Sequence, residues 1–147
     1  MLVDSKKQQL GVEPIIVIAA QETKAEEPLA TVYAAILAEM NMEGCTLFQE
    51  GNTLFVVHHL ASREGMFRAL NADTAQNYLQ NSIIFVQAAH RFGYDVLHTD
   101  FDDPRILNIF KMIERNPPMP GMSFESEKVD GGYAVTLYLG EPRERES

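Results

Sequence analysis

The chain has 147 residues, of which 46% are hydrophobic, and 21 acidic against 12 basic residues give a formal net charge of -9. This length and apolar content predict one globular domain that buries roughly two-thirds of its unfolded surface. Because the acidic excess repels phosphate backbones, a direct nucleic-acid partner is disfavoured, whereas a basic protein surface or plain solubility is consistent with the charge. The single cysteine, Cys45, excludes an internal disulfide and a cysteine-based zinc cluster.

The sequence also argues against a membrane span and a secretion signal. No apolar run reaches the roughly 20 residues that a transmembrane helix needs. Residues 1–11 contain lysines with no apolar segment after them, which is unlike a signal peptide. We therefore expect a cytoplasmic protein whose residues 1–12 and 141–147 are peripheral tails of a single domain, 1–147.

The first predicted elements are a strand and a helix. Pro14–Ala20 is a compact β-branched run of the length that a buried strand has. Helical character begins near Pro28, because proline suits the first turn of a helix and Glu26-Glu27 favours its positive end. The apolar residues of this helix recur with helical spacing, and they are Leu29, Val32, Tyr33, Ile36, Leu37 and Met40.

Three strands follow as a predicted antiparallel meander. Cys45–Glu50 and Thr53–Leu60 are joined by Gly51-Asn52, a pair that suits a tight hairpin turn with positive φ. Residues 61–65 then turn the chain into a third strand, Met66–Asn71.

A long helix and a fourth strand follow the meander. Asp73-Thr74 offers side-chain oxygens to the free N–H groups of a helix start, and Gly93 suits the left-handed residue after its end. Tyr94–Phe101 then resumes as a strand, and a strand–helix–strand unit of this length predicts parallel neighbouring strands. The stripe expected to face the sheet is Tyr78, Leu79, Ile83, Val86, Ala89 and Phe92, and the side expected to face water carries Gln80, Asn81 and Gln87.

A last helix and a hairpin complete the chain. Asp102-Asp103-Pro104 begins the helix, and the prolines of 116–121 end it. Met122–Val129 and Tyr133–Leu139 read as two strands around Asp130-Gly131-Gly132. The predicted order is β-α-β-β-β-α-β-α-β-β.

This order resembles the GNAT (N-acetyltransferase-like) fold over nearly the whole chain, with one of the usual two N-terminal helices missing. Similar short, divergent versions occur among proteins of tailed bacteriophages. The resemblance implies an α/β (α+β) fold with a mixed sheet and helices on both faces. It also implies an acetyl-coenzyme A site between the strand Met66–Asn71 and the helix Thr74–Phe92, beside a strand, Tyr94–Phe101, that splays away.

The cofactor loop of that family differs here. Its active members hold the cofactor pyrophosphate with a Gln/Arg-x-x-Gly-x-Gly/Ala loop, whose backbone N–H groups meet the phosphates at a helix N-terminus. The corresponding stretch of this chain has no glycine, and Asp73 adds a negative charge where the diphosphate would lie. If acetyl-coenzyme A is bound nevertheless, the resemblance implies contacts from Leu70, Asn71, Thr74, Ala75, Gln76 and Asn77.

The family's catalytic tyrosine is also missing. That tyrosine acts as a general acid toward the departing thiolate, and Phe110 stands at the matching position. Because phenylalanine has no proton to donate, we expect Phe110 to pack in the core. Glu64, just before the third strand, is the candidate general base if the chain is an N-acyltransferase.

A metal site is a further alternative, which we do not favour. His58 and His59 are adjacent in a strand and point to opposite faces, so they cannot bind one metal ion together. Helix capping is the expected role of the two aspartates before the last helix, and we expect no metal. The possible ligands gather near the end of the central strand, and they are His98, Asp100, Asp102 and Asp103.

Two functions remain. The one we expect is a catalytically degenerate GNAT-like interaction or structural protein without a cofactor, bound to protein partners in a larger assembly such as a phage virion, in the host cytoplasm or in the particle. The alternative is an N-acyltransferase that uses acetyl-coenzyme A with an atypical pyrophosphate loop. The proline-rich segment is the expected contact surface, through Pro117, Pro118, Met119 and Met122.

Overall fold

The computed structural model describes residues 10–22 and 27–139. These residues contain a six-stranded sheet in the order β1-β2-β3-β4-β6-β5 and four helices. None of the helices in these ranges is both long and apolar enough to cross a membrane. In chain order the elements are α1 (Val12–Glu22), α2 (Leu29–Met40), β1 (Cys45–Glu50), β2 (Thr53–Ala61), β3 (Glu64–Asn71), α3 (Ala75–Phe92), β4 (Val96–Phe101), α4 (Pro104–Arg115), β5 (Ser123–Val129) and β6 (Gly132–Tyr138).

The sheet is mixed, as predicted. Strands β1, β2 and β3 form the antiparallel meander, and β5 and β6 form the antiparallel hairpin. The meander and the hairpin meet through β4, which is antiparallel to β6 and parallel to β3. Pairing of β3 with β4 covers only Glu64–Met66 and Val96–His98, although both strands continue. The two strands therefore separate beyond Met66 and His98.

Helices lie on both faces of the sheet, as predicted. On one face, α1 and α2 pack on the meander around Leu54 and Val56 of β2. On the other face, α3 and α4 cover Phe55, Val57 and Leu97. This division follows the two-residue alternation of side chains along each strand.

An aromatic stack holds α3 on the sheet. The ring of Phe85 lies parallel to that of Phe55, with centroids 4.0 Å apart, and 5.1 Å from that of Phe67. The stripe predicted for this helix omitted Phe85, whose side chain is only 2% exposed, and included Phe92, which is 63% exposed. The sheet-facing side of α3 is therefore rotated relative to the predicted one.

The predicted strand Pro14–Ala20 is wrong, because these residues belong to α1. Ile15, Ile16 and Ala20 are all buried, and the adjacent Ile15 and Ile16 would point to opposite faces of a strand, whereas one broad helix face buries both together with Ala20. The β-branched composition favoured a strand, but burial along one helix face overrides that preference. Pro14 is the third residue of α1, where the first-turn N–H groups have no helical partner to lose. Both N-terminal helices of the fold are therefore present.

The polar side of α3 was only partly predicted. Gln80 is exposed, but Asn81 is buried and Gln87 is half-buried. Of the residues expected to face the sheet, Val86 is buried and Ile83 is half-buried. Asn81 is buried because it serves a polar contact with the meander, which is described below.

The chain before α1 is fixed by the turn between β1 and β2. The N–H of Leu10 donates to Asn52 Oδ1 at 2.7 Å, and its carbonyl accepts from Gln49 Nε2 at 2.6 Å. Residues 10–12 are therefore part of the fold rather than a peripheral tail. The predicted tails at 1–9 and 141–147 lie outside the described residues, and the single-domain assignment stays a prediction.

The aromatic stack generates a stability prediction. Phe85→Ala should lower the free energy of unfolding by about 3–5 kcal/mol, because it leaves a cavity between α3 and the sheet. Phe92→Ala is the control on the same helix, and we expect a loss of at most about 1.5 kcal/mol, since Phe92 is 63% exposed although its ring contacts Phe48 and Tyr94. Urea unfolding curves measure both values. Equal losses would contradict this orientation of α3.

Candidate functional site

A cleft of about 560 Å³ lies where β3 and β4 separate. Of the residues implied for cofactor contact, Leu70, Asn71 and Ala75 line it. The end of β3 and the beginnings of α3 and α4 form most of its wall, with Ala69, Tyr78, Asp102, Asp103, Arg105, Ile106 and Ile109 among the lining residues. This is the place where the resemblance puts the acetyl-coenzyme A site.

Asp73, which lies in the chain between the cleft-lining residues Asn71 and Ala75, binds the meander. Its Oδ2 accepts from the Asn52 N–H at 3.0 Å and from Asn81 Nδ2 at 2.9 Å, and its Oδ1 accepts from Asn77 Nδ2 at 3.1 Å. Asn81 also donates to Thr53 Oγ1 at 3.0 Å. Asp73 therefore joins the β1–β2 turn to the first two turns of α3.

The turn at Gly51 must lie close for this network to form. Gly51 has φ +55°, and a Cβ at this position would come within 2.8 Å of the Asn81 amide and 3.0 Å of Asp73 Oδ2. Glycine is thus required both for the backbone conformation and for the space. Gly51-Asn52, which the sequence indicated only as a hairpin turn, therefore also shapes the candidate site.

The hydrogen bonds keep Asp73 ionised. Burial alone would raise the pKa of its carboxyl group, but hydrogen bonds from the Asn52 N–H, from the Asn81 and Asn77 amides and from the Thr74 N–H outweigh burial. The pKa of Asp73 is therefore lowered from its ordinary value. A negative charge is fixed beside the N-terminus of α3 at neutral pH.

The backbone donors around this helix start are largely engaged within the protein. The Ala72 N–H donates to the Asn52 carbonyl at 2.9 Å, and the Asp73 N–H donates to Asn71 Oδ1 at 3.1 Å. The Asn77 N–H donates to Oγ1 of Thr74, the N-cap residue, at 3.2 Å. Capping by the Asp73-Thr74 pair, expected from the sequence, is thus confirmed for Thr74. The residues present do not fit the diphosphate cradle that the resemblance implies.

At the start of α4, the guanidinium of Arg105 lies in the cleft wall, but Asp103 neutralises its charge. Arg105 binds Asp103 through its guanidinium, with Nη2 2.7 Å from Oδ2, and donates its backbone N–H to Oδ1 at 2.9 Å. These hydrogen bonds with Arg105 lower the pKa of Asp103. The capping role expected of the two aspartates is confirmed for Asp103, whereas Asp102 is exposed and is not the N-cap.

Of the aromatic residues near the cleft, Phe110 lies in the core and Tyr78 lies in the cleft wall. Phe110 is buried against Phe101 and Phe124, with ring centroids 5.6 and 6.1 Å away, which confirms the packing role expected for it. Tyr78, predicted only as a core residue of α3, also lines the cleft, and burial raises its pKa to about 12. A phenol with this pKa stays protonated at neutral pH. The helical stripe could not reveal this second role, because core and cleft wall lie on the same side of α3.

Glu64 and His98 meet where β3 and β4 begin to separate. Glu64 Oε1 lies 3.1 Å from His98 Nε2, and His98 Nδ1 lies 3.0 Å from Thr136 Oγ1. Because an ionised carboxylate only accepts, Nε2 donates to Glu64, and in the neutral imidazole Nδ1 then accepts from the Thr136 hydroxyl. The carboxylate of Glu64, the predicted base, is thus bound to an imidazole.

The possible metal ligands do not come together in the described part of the chain. His98 is occupied by Glu64 and Thr136, and His58 lies 3.1 Å from Glu39 Oε1. Across residues 10–22 and 27–139, no group of three or more His, Cys, Asp or Glu side chains is arranged to hold a metal ion.

The proline-rich segment packs partly against the core. Pro117 is exposed, whereas Pro118 is half-buried and its carbonyl lies 3.5 Å from Gln87 Nε2. Met119 packs against the core cluster beneath α3 and α4, and Met122 is buried in it. Met122 is therefore a core residue rather than a surface contact. The contact roles of Pro117, Pro118 and Met119 stay predictions.

Comparison with solved structures identifies the fold. No protein-family model and no curated protein matches the sequence. The ribosomal-protein-S18-alanine N-acetyltransferase from Escherichia coli is similar with a TM-score of 0.55 and 12% identity, over 95% of this chain and 96% of that one. A chimeric spermidine N-acetyltransferase from Vibrio cholerae gives a TM-score of 0.58 at 8% identity, over 95% and 92% of the two chains.

A third neighbour carries the name of the family. It is a probable GNAT-family acetyltransferase from Chromobacterium violaceum, with a TM-score of 0.55 and 11% identity, over 92% of this chain and 82% of that one. At such low identity the likeness shows the fold alone. The chain has the GNAT fold, as the order of its elements predicted.

The Asp73 network generates the second prediction. Asp73→Ala should lower the free energy of unfolding at pH 7 by about 1–3 kcal/mol, because it leaves the buried Asn81 amide without one of its acceptors. The pKa of Asp73 is lower in the folded state, so its contribution is present above the unfolded value of about 3.9 and is lost as pH falls through the folded value. Denaturant melts at pH 7 and pH 3 measure this difference.

The matched control is Asp100→Ala, which removes an exposed aspartate from β4. We expect it to change stability by less than about 0.5 kcal/mol at either pH. A loss for Asp73→Ala that stays the same from pH 7 to pH 3 would show that the ionised carboxylate does not stabilise the fold.

Proposed function

We propose that this chain is a GNAT-fold protein that has lost acetyl-coenzyme A-dependent catalysis and acts by binding a protein partner. The observation that carries the proposal is the ionised Asp73 at the N-terminus of α3, held by the Asn52 N–H and by the Asn77 and Asn81 amides. A diphosphate at this position needs several free N–H donors and a positive local field. Asp73 opposes that field, and the N–H groups of Ala72, Asp73 and Asn77 already donate within the protein.

Two further features of the cleft support the loss of catalysis. The nearest guanidinium, that of Arg105, is paired with Asp103, so its charge is compensated. Phe110 is buried in the core at the position where the resemblance implies a catalytic tyrosine. The one guanidinium in the cleft wall is thus compensated, and a ring that cannot donate a proton stands where the resemblance implies the proton donor.

The partner and its assembly follow from the resemblance alone. Short, divergent GNAT-like proteins occur in tailed bacteriophages, and on that ground the assembly we propose is a phage virion. The net charge of -9 is compatible with a partner that presents a basic surface.

The second candidate is an N-acyltransferase with an atypical cofactor site. Two observations favour it: the cleft remains open where β3 and β4 separate, and Tyr78 presents a protonated phenol in its wall. The three solved neighbours are named as acetyltransferases, one of them for a ribosomal-protein alanine and one for spermidine. In this alternative Glu64, bound to His98, is the candidate base.

Calorimetric titration with acetyl-coenzyme A separates the two functions. We expect no binding with a Kd below about 1 mM, because the diphosphate would meet Asp73 instead of free donors. The chain with Asp73→Lys is titrated in parallel, and Glu43→Lys, at an exposed position before the edge strand β1, is the control for a charge change of the same size.

Binding of the unaltered protein in the micromolar range would overturn the proposal. Acetyl transfer by the unaltered protein that Asp73→Lys increases and Glu43→Lys leaves unchanged would establish the N-acyltransferase instead.

A further inference from the structure

A pocket of about 370 Å³ lies between α4 and the edge strand β5. We call it the α4–β5 pocket. Helix α4 contributes Lys111, Glu114 and Arg115 to its lining, and β5 contributes Phe124 and Ser126. None of these described residues lines the cleft between β3 and β4. The pocket is therefore a separate site.

An aromatic ring in the α4–β5 pocket is supported by the core. Phe124 and Ser126 pair with Leu137 and Val135 of β6, which are both buried beneath the helices. Because residues directly opposite each other in an antiparallel pair share a face, Phe124 and Ser126 lie on the side of β5 that faces α4. The Phe124 ring is half-buried, with its centroid 6.1 Å from that of the buried Phe110, whereas Ser126 is exposed. The pocket thus offers a fixed aromatic ring beside a hydroxyl group.

Two neighbouring cations line the other side of the pocket. Lys111 and Arg115 are four residues apart on α4, so their side chains are neighbours on the helix surface, and both are exposed. In the described part of the chain, no carboxylate lies within ion-pair distance of either one. At the other end of the same helix, Arg105 is paired with Asp103. Like charges at this spacing repel each other, and an anion between them would remove the repulsion.

The helix dipole accounts for only one of these cations. Arg115 lies in the last turn of α4, where the partial negative charge of the helix end favours a basic residue. The effect falls off within that turn, and Lys111 lies one turn earlier. The chain has 21 acidic and only 12 basic residues, yet these two basic residues are neighbours without an acidic partner among the described residues.

We propose that the α4–β5 pocket binds a small organic anion in which a phosphate group is attached to an aromatic ring. Lys111 and Arg115 would hold the phosphate, the lysine as a point charge and the arginine through its planar fork of donors. The Ser126 hydroxyl can donate to a phosphate oxygen, and the ligand ring would pack on Phe124. The inference goes beyond the proposed function, because it concerns a different site and needs no acetyl-coenzyme A.

Charge selects a phosphate monoester over other anions. A phosphate monoester carries about two negative charges at neutral pH, which matches the two cations, whereas a carboxylate would compensate only one of them. A nucleic acid would bring many phosphates to a chain whose net charge is -9, and its binding is disfavoured for that reason. Glu114, the remaining lining residue, adds one negative charge and should weaken the binding of any anion.

The test titrates the full chain with phenyl phosphate, inorganic phosphate and phenol. Amide chemical shifts of the labelled protein give both the affinity and the place of binding. We expect phenyl phosphate to bind at least about threefold more tightly than inorganic phosphate, because only the former has a ring to pack on Phe124. Phenol lacks the charge and should not bind detectably.

Four substitutions at exposed positions test the role of each charge. Lys111→Gln and Arg115→Gln should each weaken phenyl phosphate binding by at least about fivefold. The matched control is Arg91→Gln, which removes an exposed arginine from the last turn of α3, and we expect a change of less than about twofold. Glu114→Gln should strengthen binding by about twofold, a gain that loss of folded protein cannot produce.

Shifts centred on 111–115 and 124–126, together with these changes in affinity, would support the proposal. Equal losses for Arg115→Gln and Arg91→Gln would show a response to net charge only and would overturn it. Equal affinities for phenyl phosphate and inorganic phosphate, shifts centred on 69–78, or no binding to the full chain would overturn it as well. Such a failure leaves the proposed function standing, because the probes contain no coenzyme A. Acetyl-coenzyme A binding that Lys111→Gln leaves unchanged would overturn that function without changing this result.

Discussion

The sheet depends on one short junction, at which three residues of β3 pair in parallel with three of β4. This junction joins the meander to the C-terminal hairpin, and Gly65 lies in the middle of it. A Cβ on Gly65 would come within 2.8 Å of Val57 Cγ1 and 2.9 Å of Tyr94 Cε1, so close packing requires glycine there. Because pairing stops after Met66, the strands separate and the cleft exists. The cleft therefore originates at this junction.

Local chemistry explains which elements could be predicted from the sequence. The cap before α3, Gly93 at its end and the Gly51-Asn52 turn each act through residues that are close in the chain, and each lies where the sequence indicated. The first helix was missed because β-branched residues favour a strand when read alone. The buried residues of this segment, Ile15, Ile16 and Ala20, are spaced as on one face of a helix, but the sequence alone does not show which apolar residues are buried.

The candidate site depends on contacts that are distant in the chain, which is why the sequence showed only part of it. Asp73 was expected at the helix start, but the Asn52 N–H that it binds lies in the β1–β2 turn. Asn81 falls on the polar side of the predicted helix and becomes buried only because that turn and Thr53 approach it. The contact between Glu64 and His98 likewise requires the parallel pairing of β3 with β4. Residue spacing within one segment cannot indicate contacts between segments that are distant in the chain.

Under the proposed function, Asp73 accounts for a fold that persists without a cofactor. The N-terminus of a helix carries a partial positive charge and free N–H groups, which together favour an anion. In a cofactor-binding helix that anion is supplied by the ligand, whereas here it is supplied by the carboxylate of Asp73, which also accepts from the Asn52 N–H of the meander. The helix end is thus stabilised by the chain itself, without any ligand. Under the proposed function, the carboxylate that stabilises this helix end is also the group that disfavours a diphosphate there.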